Sequence, residues 1–113
     1  MPVDIVYNSM PIKTVALPSG NATIDSSNGY IYTKAGGACT ITFSSILELE
    51  TVYFVFTSSG TLYTVTWSAG STGLTIRWPN NTSPVATITA NRKDIISFIR
   101  IGTDLIGSYI LNT

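Results

Sequence analysis

Glu48 and Glu50 stand two residues apart, so on a strand both carboxylates would point the same way. A glycosidase needs two carboxylates at a set separation, one of them with a raised pKa. Nothing around these two suggests burial, and an exposed loop pair is the plainer reading. Asp94 and Asp104 fall at opposite ends of one apolar stretch, too far apart to act together. Asp25 lies in a Ser/Asn/Gly turn without the spaced acidic loop of a calcium site. The chain has no His, which removes the commonest general base and the commonest transition-metal ligand. Cys39 is the single cysteine, so it can build neither an intrachain disulfide nor a zinc site. Its alternation with Ile41 and Phe43 marks a small buried hydrophobe. Gly36-Gly37 lacks the Lys-Ser/Thr and the helix of a phosphate loop. Asn21-Ala-Thr and Asn80-Asn-Thr match the glycosylation sequon but read as turn chemistry. No catalytic set, metal site or cofactor site emerges, and a non-enzymatic protein is expected.

The aromatic residues are the remaining candidates. Trp78, with Arg77, Asn80, Asn81, Tyr30 and Tyr32, offers a surface that could stack on sugars or meet a partner. Aromatics also concentrate in cores and subunit interfaces. The polarity of the chain comes from 17 Thr and 13 Ser, while only 11% of residues are charged and the net charge is zero. An average domain has about 25% charged residues. A neutral Ser/Thr surface argues against nucleic acid, which demands a basic patch, and against anionic membranes. No apolar run approaches the roughly 20 residues of a membrane span. The N-terminus has no basic segment ahead of an apolar run, so no signal peptide is expected and synthesis in a cytoplasm is.

The elements that must carry these residues are strands. Short apolar or alternating runs lie at 12–17, 22–25, 30–33, 38–43, 51–57, 61–67, 74–78, 85–89, 93–101 and 104–111, parted by Gly, Pro, Asn and Ser. The segment 44–50 reads as a loop. Residues 1–11 read as an arm or edge segment whose apolar side chains dock on a neighbouring subunit. The rest, 12–113, is one domain. About ten short strands predict an all-β fold, an antiparallel β-sandwich of jelly-roll-like type.

Two hairpins organise this expectation. Ser58-Ser59-Gly60 would join 51–57 to 61–67, with Thr57 facing Thr61, Val55 facing Tyr63 and Tyr53 facing Val65. Gly102-Thr103 would join 93–101 to 104–111 through a type II′ turn, with Ile101 facing Asp104. Counting back, Ile99 meets Ile106, Ser97 meets Ser108 and Ile95 meets Ile110 on one face. Arg100 meets Leu105, Phe98 meets Gly107 and Ile96 meets Tyr109 on the other. Both faces are apolar, so both should be covered, one by the core and one by another subunit. Ile96, Phe98, Arg100 and Tyr109, with Tyr53 and Tyr63, are the residues expected at that subunit interface.

The run VTW at 65–67, RWPNNTSPVATITANRKD at 77–94, IISFIRI at 95–101 and GTDLIGSYIL at 102–111 resembles a C-terminal module of small structural proteins of tailed bacteriophages. The shared features are a strand ending in Trp, then Trp-Pro, an Asn-rich turn, a Pro, a Thr-rich strand, Ala-Asn, a basic residue, Asp and the final hairpin. The resemblance covers about the last 45 residues. It departs where the family has a Trp-Tyr pair before the last Gly and this chain has Leu105-Ile106. The resemblance implies a virion surface component, a homotrimer of β-sandwiches without a cofactor, whose partners are capsid or appendage proteins. The chain opens on Met with no shaft or repeat before the module, which favours a capsid decoration or cement protein or a small head or tail appendage protein. A receptor-binding fibre tip that contacts a host surface glycan is the alternative.

Overall fold

The computed structural model describes residues 13–113. The arm expected at 1–11 lies outside them. Alternating apolar residues form nine strands among the described residues: β1 (Thr14–Ala16), β2 (Ala22–Asp25), β3 (Ile31–Ala35), β4 (Cys39–Ser45), β5 (Thr51–Thr57), β6 (Val65–Ser68), β7 (Thr75–Arg77), β8 (Lys93–Ile101) and β9 (Asp104–Ile110). They make two sheets, a six-stranded one ordered β1-β3-β5-β8-β9-β7 and a three-stranded one ordered β2-β4-β6. The domain is all-β, with both sheets contributing to one core.

The final hairpin has the expected register. Ile101 faces Asp104, Ile99 faces Ile106, Phe98 faces Gly107 and Ile96 faces Tyr109. Gly102 has φ +62 and Thr103 does not share a positive φ, which is the type II′ pattern. β8 also pairs antiparallel with β5, Thr51 to Ile99 through Thr57 to Lys93.

Elsewhere the pairing corrects the sequence reading. The ladders β1-β3, β3-β5, β2-β4, β4-β6 and β7-β9 are all parallel. The antiparallel order is confined to β5, β8 and β9. From β1 to β6 the chain winds, each strand lying in the sheet opposite the one before it. Parallel neighbours cannot be joined by a tight turn and need a crossover. Here the crossover is itself a strand of the other layer. Jelly-roll-like connectivity requires antiparallel neighbours and does not describe this winding.

The hairpin expected from 51–67 is absent for the same reason. β5 lies between β3 and β8, while β6 lies in the other sheet beside β4. The linker between them runs from Ser58 to Thr64, long enough to change layers. The segment 85–89 forms no strand. Its Thr87 bonds instead to the buried carboxylate of Asp94, N–H to Oδ2 at 2.7 Å and hydroxyl to Oδ1 at 2.5 Å.

The core is aromatic. Phe54 of β5 stacks on Tyr32 of β3 at 5.3 Å between centroids and meets Phe43 and Trp67 of the small sheet edge-on, at 6.0 and 5.0 Å. Phe98 of β8 meets Trp67 at 4.9 Å and Trp78 at 5.1 Å. Trp78 follows β7 and lies over Gly107 of β9. A Cβ at that glycine would come within 2.4 Å of the indole, so only glycine admits the ring.

Candidate functional site

Each strand of the large sheet shows one set of side chains to the core and the other outward. Inward from β5, β8 and β9 point Val52, Phe54, Phe56, Ile96, Phe98 and Leu105, all buried. Outward point Tyr53 and Val55 of β5, Ile95, Ile99 and Ile101 of β8, and Ile106 and Ile110 of β9. Ile110 is 63% exposed, Ile101 47%, Tyr53 44% and Ile106 37%. The register sets them in rows across the sheet. Ile31, Tyr53, Ser97 and Ser108 form one, Thr33, Val55, Ile95 and Ile110 another, and Thr51, Ile99, Ile106 and Arg77 a third. Ser97 and Ser108 hydrogen-bond to each other in the middle at 2.6 Å. Charge lies at the borders of the face: Lys93 at one end, and the Arg77–Asp104 pair, 2.8 Å apart, where Arg77 is in register with Ile106 and Asp104 with Ile101.

The outward face of the small sheet is different in kind. Thr23, Thr40, Thr42, Thr66 and Ser68 line it, in register across β2, β4 and β6. Both outer faces are half-buried sheet surfaces of one chain. The small sheet's face is Thr and Ser throughout, whereas the large sheet's face has Thr on β1, β3, β7 and the ends of β5 but isoleucines on β8 and β9, around Ser97 and Ser108.

The expectation of a second apolar face is therefore met, but most of the residues assigned to it belong elsewhere. Ile96 and Phe98 are 4% and 0% exposed, and Tyr63 is buried as well, so none of the three reaches a partner. Tyr109 is half-buried, its ring 6.0 Å from that of Trp78 and its hydroxyl donating to the Thr82 carbonyl at 3.0 Å. Arg100 ties the loop after β4 to the hairpin, donating to the carbonyls of Ile46 at 2.8 Å and Gly102 at 3.0 Å. Tyr53 alone of the six lies on the open face. The physical reason is the parity of β8: its even residues face the small sheet and its odd residues face out.

The residues expected to form a ligand surface do not come together. Arg77, Trp78, Asn80 and Asn81 lie at the β7 edge and the turn after it. Tyr30 and Tyr32 lie at β3, four strands away in the sheet. Tyr32 is 2% exposed, its hydroxyl donating to the carbonyls of Gly29 at 2.7 Å and Asp25 at 3.1 Å. Burial, helped by the charges of Asp25 and Glu50 and by Tyr30, pushes its pKa up to about 12. Tyr30 donates to Glu50 Oε2 at 3.4 Å. Burial first, then the Glu50 charge, raises its pKa as well.

The carboxylates are occupied as hydrogen-bond acceptors. Glu48 receives the Gly102 N–H on both oxygens, at 2.9 and 2.8 Å. Glu50 receives the Ser26 hydroxyl and the Leu47 N–H. Asp94, 2% exposed, receives the Asn112 N–H at 2.9 Å besides the two bonds from Thr87. Cys39 is buried, and burial raises its thiol pKa against the opposing charge of Lys34. A raised thiol pKa makes a poor nucleophile. Among the described residues no group of three or more His, Cys, Asp or Glu converges as a metal site would require, and no helix is long and apolar enough to cross a membrane.

Two concavities accompany the open face. A shallow groove at its edge is lined by Tyr30, Ile31, Glu48, Leu49, Glu50, Thr51 and Tyr53. A cleft of about 260 Å³ opens at the side, between 62–65 and 83–86, with Trp67 in its wall, Asp94 and Ile96 in its floor and the exposed Leu62 and Val85 at its lips. Sequence reasoning missed this cleft because it took 61–67 as the second arm of a hairpin with 51–57 and 85–89 as a strand. Comparison with protein-family models, with curated proteins and with solved structures finds no match to this chain.

Proposed function

We propose that this is a non-enzymatic structural protein of a tailed-bacteriophage particle, a surface module that acts by assembling with copies of itself, as a homotrimer, and with other virion proteins. Capsid decoration is the preferred role. The observation that carries the assembly part is the outward face of the large sheet, where Tyr53, Ile101, Ile106 and Ile110 stand exposed around a central serine pair. The phage part is carried by the resemblance over 65–111. The work of such a protein is geometric: it holds neighbours together by buried area. Burying about 1,000 Å² of apolar surface gives a gross gain near 25 kcal/mol, before the costs of association. A neutral Ser/Thr coat elsewhere keeps the assembled module in water without attracting nucleic acid.

The test is co-sedimentation of the purified protein with empty capsids and with whole particles, followed by imaging of the decorated particle. Binding at symmetry-related capsid positions is the expected result. Failure to bind any particle component ends the decoration reading.

A second reading, a fibre tip that binds a host glycan, draws on the side cleft. Trp67 in its wall is a residue type that stacks on sugars. It predicts saturable binding to host cells that Val85→Asp abolishes without loss of folding.

A further inference from the structure

We infer that the outer face of the six-stranded sheet is a self-association surface, covered by the same face of a second copy of this chain. The inference rests on the assembly part of the proposed function and is independent of its phage part. It names the contact residues as Tyr53, Ile95, Ile99, Ile101, Ile106 and Ile110.

Area is the first argument. The contact residues lie on β5, β8 and β9, of seven, nine and seven residues, which at about 3.3 Å per residue and about 4.8 Å between strands give a face of roughly 360 Å² in projection. The largest apolar patch of a typical monomer is about 300–600 Å², and a stable interface buries about 800 Å² of accessible surface per partner. Accessible area exceeds projected area, so this face supplies a substantial part of one side of a standard interface.

The internal comparison is the second. The small sheet shows that this chain clads a wet sheet face in Thr and Ser. The large sheet keeps Thr on its outer strands, so the isoleucines of β8 and β9 are a local departure from the chain's own habit. Charge is the third. The rows through Tyr53–Ser97–Ser108 and Val55–Ile95–Ile110 carry none, and the Arg77 beside Ile106 is paired with Asp104, so a copy presented face to face meets little like-charge repulsion. An aliphatic face needs no specific partner groups, so the same face of three copies can meet about the three-fold axis of the proposed homotrimer.

Leu49 adds a fourth observation. It has φ +65, a conformation that residues with a Cβ rarely adopt, and its side chain is 65% exposed. Its N–H bonds to the Arg100 carbonyl at 2.8 Å, which holds it there. It lines the groove with Ile31 and Tyr53 and so extends the apolar face past the edge of the ladder.

The experiment is sedimentation equilibrium of the full chain, unmodified and as Ser108→Arg. Ser108 is exposed at the centre of the face and contributes nothing to the core, so its replacement leaves the fold intact. Ile106→Lys is the second variant, and Thr66→Arg, on the face of the small sheet, is the control. The unmodified chain and Thr66→Arg should form the same oligomer at micromolar concentration. Both outer-face variants should weaken association at least about 100-fold, equivalent to about 2.7 kcal/mol, with unchanged circular dichroism. A monomeric unmodified chain at about 100 μM, or an oligomer that survives Ser108→Arg, overturns the inference. Either outcome leaves the capsid test standing, and a failed capsid test leaves this one standing.

Discussion

At the scale of single residues, the chemistry of this chain is hydrogen-bond acceptance by carboxylates. Asp94 is the strongest case, because it is buried and receives three bonds, from Thr87 N–H, Thr87 hydroxyl and Asn112 N–H. It fastens both the unpaired segment 85–89 and the C-terminal end to the start of β8. Asp94→Ala strands those donors, and a buried donor without a partner costs about 1–3 kcal/mol. A loss of about 2–4 kcal/mol in urea unfolding is expected, given more than one stranded group. Thr87→Val removes only the hydroxyl and should cost about 1 kcal/mol. Tyr32 gives a prediction in pH. Its pKa rises from 10.0 to about 12 in the folded chain, first through burial. A raised pKa means the folded state holds the proton longer than the unfolded state does. The resulting stability is fully present below pH 10 and is lost as pH rises from 10 toward 12. Tyr32→Phe should flatten the fall in melting temperature across that window, measured against the unmodified chain.

At the scale of elements, the sequence was most legible where pairing was local. The hairpin 93–111 could be read residue by residue, since a two-residue turn leaves one register once Gly102 is given the positive φ. Strand positions followed from alternation, and β2, β5 and β8 begin and end where their apolar patterns do. Partners did not follow. Alternation in 51–57 says that Val52, Phe54 and Phe56 share a face, and is silent on whether the next strand is antiparallel at hand or parallel across the layer. The winding of β1 to β6 is therefore visible only in the folded chain, and the side cleft with it. The open face was legible as an apolar surplus. Its membership was not, because Ile alternates with Ile and Phe along 95–101 and nothing local says which parity is inward. The element that settles the parity is Trp78, whose indole lies against Gly107 and so marks the inner face of β9. Gly107→Ala sets a Cβ within 2.4 Å of that ring. Displacing Trp78 from Phe98 and Tyr109 should cost about 1–3 kcal/mol or more. A shift in tryptophan emission with the loss of stability is the expected readout. Unchanged emission would mean that the ring does not pack there.

At the scale of the whole molecule, the question is how a chain with one thin core carries a second apolar sheet face. Folded stability and association should then be one linked quantity, because an oligomer binds only the native chain. Melting temperature should rise with protein concentration, and the rise should vanish in Ser108→Arg, which leaves the core untouched. Salt separates an apolar contact from an ionic one. Ionic attraction between exposed charges weakens as the Debye length falls from about 10 Å at 0.1 M to about 3 Å at 1 M. Two of the three central rows of the open face have no charges to screen, and Lys93, Arg77 and Asp104 sit at its borders, the last two paired with each other. Sodium chloride across that range should therefore leave the association constant within about twofold. Ammonium sulfate should strengthen association, since excluded salts favour burial of apolar surface. An association constant that falls tenfold or more in sodium chloride would place the contact on the charged ends of the sheet and take it off the isoleucine rows.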